Sequence, residues 1–97
     1  MITRIIKISI DKEKQESFTK FINPLHDKFM QIDGCTQFEV FREKEENRIY
    51  FIYTIWKNEA KLNKFRKSDF NKSFWNKLNE LAESSPQVWT VENIFEK

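Results

Sequence analysis

One glycine, two prolines, one cysteine and one histidine stand in a chain of 97 residues, and each scarcity removes a class of protein. The lone Cys35 excludes an internal disulfide framework, and with His26 the only imidazole no Cys/His cluster has zinc-ligand spacing. A reducing compartment fits that thiol content. With Gly34 the only glycine, the chain has no glycine-rich loop to cradle a phosphate. No apolar run reaches membrane-spanning length, and Met1-Ile2-Thr3-Arg4-Ile5-Ile6-Lys7 meets charge too early to serve as a signal peptide. A cytoplasmic protein without a membrane partner is expected. Charge of one sign is also missing: 17 Lys and Arg face 15 Asp and Glu, a net charge of +2, which gives no broad basic surface for phosphate backbones. Nucleic acid is therefore not an expected partner. Lys61, Lys64, Arg66 and Lys67 do cluster, but beside Glu59 and Asp69 they read as the solvated face of a helix. Paired carboxylates and a nucleophile–base pair do not rise above background either.

What the chain does have is aromatic and β-branched residues in ordered patterns. Ten Phe, three Trp and 39% apolar content suit one modest core, so residues 1–97 are expected to form a single domain. Ile2 to Ile10 is β-branched, with Ile2, Arg4, Ile6, Ile8 and Ile10 on one face and Thr3, Ile5, Lys7 and Ser9 on the other, the mark of a strand with one buried side. From about Lys12 the period becomes helical, with Phe18, Phe21, Ile22, Leu25, Phe29 and Ile32 on one stripe. Pro24 removes a backbone donor inside this run, and because the stripe keeps its phase a kink is expected there rather than a fresh start capped by Asn23. Asp33-Gly34 ends the helix, Gly34 suiting a left-handed terminal position.

Thr36 to Glu43 alternates, a polar Lys44-Glu45-Glu46-Asn47 turn follows, and Arg48 to Trp56 is almost wholly apolar after its first residue. These two segments are expected to form a hairpin. Asn58 and Ser68 are suited to cap two helical segments, the first carrying Leu62 and Phe65, the second Phe70, Phe74, Leu78 and Leu81. Ser84-Ser85-Pro86 stops the second, and Val88 to Val91 reads as a last strand. The order strand, helix, strand, strand, helix, strand predicts an α+β, ferredoxin-like βαββαβ fold: a four-stranded antiparallel sheet with helices on one face. The other face would still carry Ile5, Phe41, Phe51, Tyr53 and Ile55, too much apolar surface to leave in water. A homodimer whose two sheets pack face to face, a dimeric α/β barrel, is expected.

With those elements placed, the chain resembles the antibiotic biosynthesis monooxygenase family over nearly its full length. The residues that carry the resemblance are the apolar first strand ending near Asp11, the Asp33-Gly34-Cys35 turn, the strand Phe51 to Trp56, Asn58-Glu59-Ala60-x-Leu62 and Phe65-x-x-Ser68-x-Phe70. The resemblance implies small dimeric α/β barrels, among them cofactor-free oxygenases of polycyclic aromatic substrates, haem-degrading enzymes and quinol-oxidising enzymes. The haem-degrading branch has an Asn on the first strand, a Trp on the helix after the third and a His farther along as iron ligand. Here the first strand has no Asn, Phe65 takes the Trp position and Trp75 the His position. An indole nitrogen has no lone pair to offer iron, so haem is not an expected partner and no cofactor or metal is expected. Many members carry His where this chain has Phe65 and Phe70, so an imidazole general base is missing as well.

What remains is an expected substrate pocket of aromatic and cationic side chains between sheet and helices, with Arg4, Tyr50, Trp56, Phe65, Arg66 and Trp75 as its residues and no catalytic residue assigned. Trp56, Trp75 and Trp89 either stack on a flat ligand or fill the core. Arg4 and Arg66 either hold an oxyanion or make surface ion pairs. Ser68 reads as a helix cap before a substrate contact. By strand parity Tyr50, not Tyr53, shares a face with Trp56. His26 is expected at the surface and Cys35 buried. Two functions fit: a cofactor-independent monooxygenase acting on a small aromatic or quinone-type ligand, or a non-enzymatic dimeric binding protein whose pocket its ten Phe help to fill.

Overall fold

The structure, a computed structural model, describes residues 1–95. Strand β1 (Ile2–Ser9) leads through a 3-10 turn at Lys12–Lys14 into helices α1 (Gln15–Ile22) and α2 (Leu25–Met30). Strands β2 (Cys35–Arg42) and β3 (Ile49–Trp56) follow, then α3 (Glu59–Arg66), α4 (Asp69–Leu81) and strand β4 (Gln87–Glu92). The strands order as β2-β3-β1-β4 and every neighbouring pair is antiparallel. This is the ferredoxin-like arrangement expected from the element order, with β3 inserted between β1 and β2. The sheet is open, with β2 and β4 as free edges, and does not close into a barrel.

At Pro24 the helix breaks between Ile22 and Leu25, yet Asn23 and Pro24 both keep right-handed helical dihedrals and neither side chain caps α2. The chain thus bends without leaving helical space, and Phe18, Leu25 and Phe29 remain on one buried stripe. Asn58 and Ser68 accept from the backbone N–H of Lys61 (2.9 Å) and Asn71 (3.1 Å), capping α3 and α4. Gly34 has φ +91°, and a Cβ on it would overlap the Lys61 side chain. Only glycine fits this turn without strain.

Parity along β1 and β3 divides the two faces. Arg4, Ile6, Ile8, Tyr50, Ile52, Thr54 and Trp56 face the helices and are buried. In β2 the register slips between Cys35 and Gln37, so that Cys35 and Phe38 both turn inward although an odd separation would set them on opposite faces. The extra residue is Thr36, whose hydroxyl donates to the Ile55 carbonyl (3.1 Å), and the simple alternation expected from Thr36 onward begins one residue late.

Aromatic rings knit the core. Phe29 lies 4.5 Å from Phe38 and within 5.5 Å of Phe65, Phe70 and Phe74 between ring centroids. The opposite sheet face is uncovered: Ile5, Phe51, Tyr53 and Ile55 are half-buried, and Phe41, Trp89 and Val91 are 48%, 45% and 42% exposed. Phe41 and Tyr53 meet edge-on there at 5.3 Å. No helix among the described residues is long and apolar enough to cross a membrane.

Candidate functional site

The expected pocket residues do not gather in one place. Trp56 is fully buried, its Nε1 donates to Thr54 Oγ1 (2.9 Å), and its ring is covered by Phe65 at 4.7 Å between centroids. Phe65 thus occupies the position a ligand ring would need to stack on Trp56. Tyr50 shares the helix-facing side of β3 but sits six residues away, roughly 20 Å at strand rise. There its hydroxyl donates to Gln15 Oε1 (2.7 Å) and its ring lies against Phe18 at 4.5 Å. Tyr50 and Trp56 are therefore on one face yet not in one pocket.

The remaining three lie on separate elements, Arg4 on β1, Arg66 at the end of α3 and Trp75 on α4, where Asn71 also lies. Arg4 projects from β1 on the helix-facing side, directly opposite Thr54 of β3 and Thr90 of β4, and is only 8% exposed. Its guanidinium makes no hydrogen bond or ion pair with any described residue, so the surface ion pair expected as one option does not form. Burial, and then the like charge of Arg66, push its pKa below the ordinary arginine value. Arg66 ends α3 with its side chain exposed. The Arg66 carbonyl accepts from Asn71 Nδ2 (3.1 Å), which ties the first turn of α4 to this corner.

Asn71 is buried, and because its Nδ2 must face that carbonyl its Oδ1 turns away. That oxygen has no partner among the described residues. An orphaned buried acceptor costs about 1–3 kcal/mol, so its persistence calls for a donor from elsewhere. Trp75 lies one helical turn on, on the same side of α4, half-buried and edge-on to Phe74 at 6.4 Å. Ile2 and Thr90, the neighbours of Arg4 along and across the sheet, line a cavity of about 250 Å³ whose other walls include Glu59 and Glu92.

A second cavity of about 190 Å³ opens on the far side of Phe65, among Ile32, Asp33, Lys61, Ser68 and Phe70. There Lys61 Nζ meets Asp33 Oδ2 at 2.5 Å. The hydrogen bond from Lys61, followed by its charge, holds the Asp33 carboxyl below its ordinary pKa. Cys35, by contrast, has its thiol pKa raised by burial. His26 is exposed on α2, with Nδ1 3.4 Å from Asp27 Oδ1, and the described residues contain no group of His, Cys, Asp and Glu able to hold a metal ion.

The Arg4 corner can therefore bind and orient; it contains no nucleophile–base pair. Asn71 was not among the residues expected from sequence, although one signal was present: a polar side chain on the buried stripe otherwise formed by Phe74 and Leu78.

The profile of a family described as "Antibiotic biosynthesis monooxygenase" matches residues 1–77. The chain belongs to that family. Solved structures agree with this antibiotic biosynthesis monooxygenase assignment at the level of fold. Rv0793 from Mycobacterium tuberculosis is similar with a TM-score of 0.86 at 12% identity, covering 98% of this chain and 96% of that one. A conserved protein from Methanosarcina mazei Go1 is similar with a TM-score of 0.85 at 22% identity, covering 95% and 92%. A further structure described as an antibiotic biosynthesis monooxygenase gives 0.85 at 15% identity, covering 97% and 99%. At such identities the likeness speaks for the fold alone. Comparison with curated proteins returns no match.

Proposed function

We propose that this protein is a homodimeric, cofactor-independent monooxygenase-like protein that binds a small hydroxyaromatic or quinol-type molecule between the sheet and α3–α4. One observation carries the reading: Asn71 Oδ1 is a buried acceptor without a partner, on the same side of α4 as the half-buried Trp75. A phenolic or quinol hydroxyl donating to Asn71 would satisfy it while the ring lies against the indole.

Without an acid–base pair, the protein's part in oxygenation is to orient the substrate, exclude water and stabilise a developing oxyanion through Arg4 and Arg66. The substrate supplies all the electrons. In the simplest balance a ring CH₂ flanked by aromatic rings becomes a carbonyl, one oxygen atom of O₂ entering the product and the other leaving as water with the two hydrogens. Tyr50, bonded to Gln15 at the other end of β3, has no part in this scheme.

The uncovered sheet face supports the dimeric part of the proposal, because an apolar layer of this kind is stable against its own two-fold copy and would complete a shared barrel. A second reading, a binding protein without turnover, is favoured by the contact of Phe65 on Trp56, which fills the aromatic junction from within. Oxygen uptake separates them. With anthrone-type and hydroquinone substrates the enzyme reading requires consumption that Trp75→Ala and Asn71→Leu abolish while circular dichroism stays native. Quenching of tryptophan fluorescence by the same compounds without oxygen uptake would select the binder.

A further inference from the structure

We propose that the cavity of about 190 Å³ beyond Phe65 is a second ligand site, which takes a compact aromatic monoanion with its ring against Phe65 and Phe70 and its carboxylate at the mouth on Lys64. None of Arg4, Asn71 and Trp75 lines this cavity, so it is independent of the site proposed above.

One opening brings the necessary groups together. Ile32, Phe65 and Phe70 give it apolar walls, and Lys61, Asp33 and Lys64 stand beside them. Phe65 is buried, and its ring is braced from behind by Trp56 at 4.7 Å and by Phe29 at 5.5 Å between centroids, so this wall is fixed. A cavity of about 150 Å³ lined by such side chains is enough for benzene. About 190 Å³ therefore holds one ring with a small substituent.

The polar groups differ in what they still have to offer. Ser68 donates its hydroxyl proton to the Phe65 carbonyl (2.6 Å) and accepts from the Asn71 backbone N–H (3.1 Å), both within the cap of α4. Lys61 is committed to Asp33, and its stem lies so close over Gly34 that a Cβ there would overlap it. That pair cancels its own charge. Lys64, one turn further along α3 and exposed, makes no hydrogen bond or ion pair with any described residue. The cavity thus keeps one uncompensated positive charge at its mouth, above walls that are apolar. A monoanion matches it, whereas a second negative charge would meet Asp33, which the hydrogen bond from Lys61 keeps ionised. Apolar walls with one placed charge are the usual make-up of a small-molecule site.

The test follows amide NMR signals of the isotopically labelled full-length protein during titration with benzoate and with benzamide, which share a ring and differ in charge. Benzoate is expected to move the signals of Asp33, Lys64, Phe65 and Phe70 and to bind about three- to fivefold more tightly than benzamide, the worth of one solvent-exposed ion pair. Added salt should shrink that preference and Lys64→Gln should erase it, with the fold kept because Lys64 is exposed. Ile32→Trp, which fills the cavity, should abolish the shifts for both compounds. Equal binding of acid and amide, or a preference that survives Lys64→Gln, would overturn the proposal. So would unmoved signals at the lining residues, whether benzoate binds elsewhere or not at all. Shifts gathered around Trp75 instead would overturn it while supporting the site proposed above.

Discussion

Replacing Arg4 by methionine should make the ligand-free protein more stable, an outcome opposite in sign to that of most substitutions at buried positions. Arg4 is 8% exposed and has no hydrogen bond or ion pair with a described residue, so the folded state bears the desolvation of its charge without a Coulombic return. Methionine keeps the unbranched stem that packs between Ile2, Ile6 and the two threonines and discards the charge. The full penalty for a buried ion is several kcal/mol, of which the guanidinium edge recovers part through water. A gain of about 1–2 kcal/mol is the reasonable net. For a domain of this size each kcal/mol moves Tm by about 4–8 °C, so thermal unfolding followed by circular dichroism should shift upward by at least about 5 °C. Arg4→Lys keeps the charge and should give no such rise. Both variants must be compared at one protomer concentration, since self-association would itself move Tm. A fall in Tm for Arg4→Met would refute the reasoning, because it would mean that the guanidinium is bonded into the fold.

Gly34→Ala should destabilise by about 1–2 kcal/mol or more in urea titrations, since φ is +91° and the added Cβ overlaps Lys61. Ser68→Ala should lower stability by about 1 kcal/mol, the usual loss when an N-cap acceptor is removed, with Ser68→Asn restoring much of it. Cys35 should resist thiol reagents under native conditions and react on unfolding. Its raised pKa means that the folded state disfavours the thiolate, so its contribution to stability is complete below the ordinary thiol value of 9.0 and is lost as pH rises through the folded value. The stability difference between the native chain and Cys35→Ala should accordingly shrink above pH 9.0.

The strands and helices were legible because their patterns are local. Alternation along Ile2–Ile10, the helical stripe through Phe18, Leu25 and Phe29, and the caps at Asn58 and Ser68 each follow from neighbours within a few residues. Face assignment was legible too, including Arg4 on the buried side of β1. What sequence could not supply was the partner of each side chain. Parity put Tyr50 and Trp56 on one face, but distance along the strand separates them, and Gln15, 35 residues away in sequence, takes the Tyr50 hydroxyl. Arginine usually finds an acid, and that habit favoured an ion pair for Arg4; the register places Thr54 and Thr90 there instead. Asn71 sits on the buried stripe of α4 with Phe74 and Leu78, and which of its amide atoms finds a partner depends on the Arg66 carbonyl, a contact that no sequence pattern encodes. The slip at Thr36 leaves no mark in a short alternating run, because one inserted residue reads as a shorter strand.

Sedimentation equilibrium of the full-length protein at micromolar concentration tests the central physical claim most directly. A sheet roofed by helices on one side and carrying Phe41, Tyr53 and Trp89 on the other should be found as a dimer, with Phe41→Glu driving it toward monomer. A native, fully folded monomer at that concentration, leaving those rings in water, would contradict it.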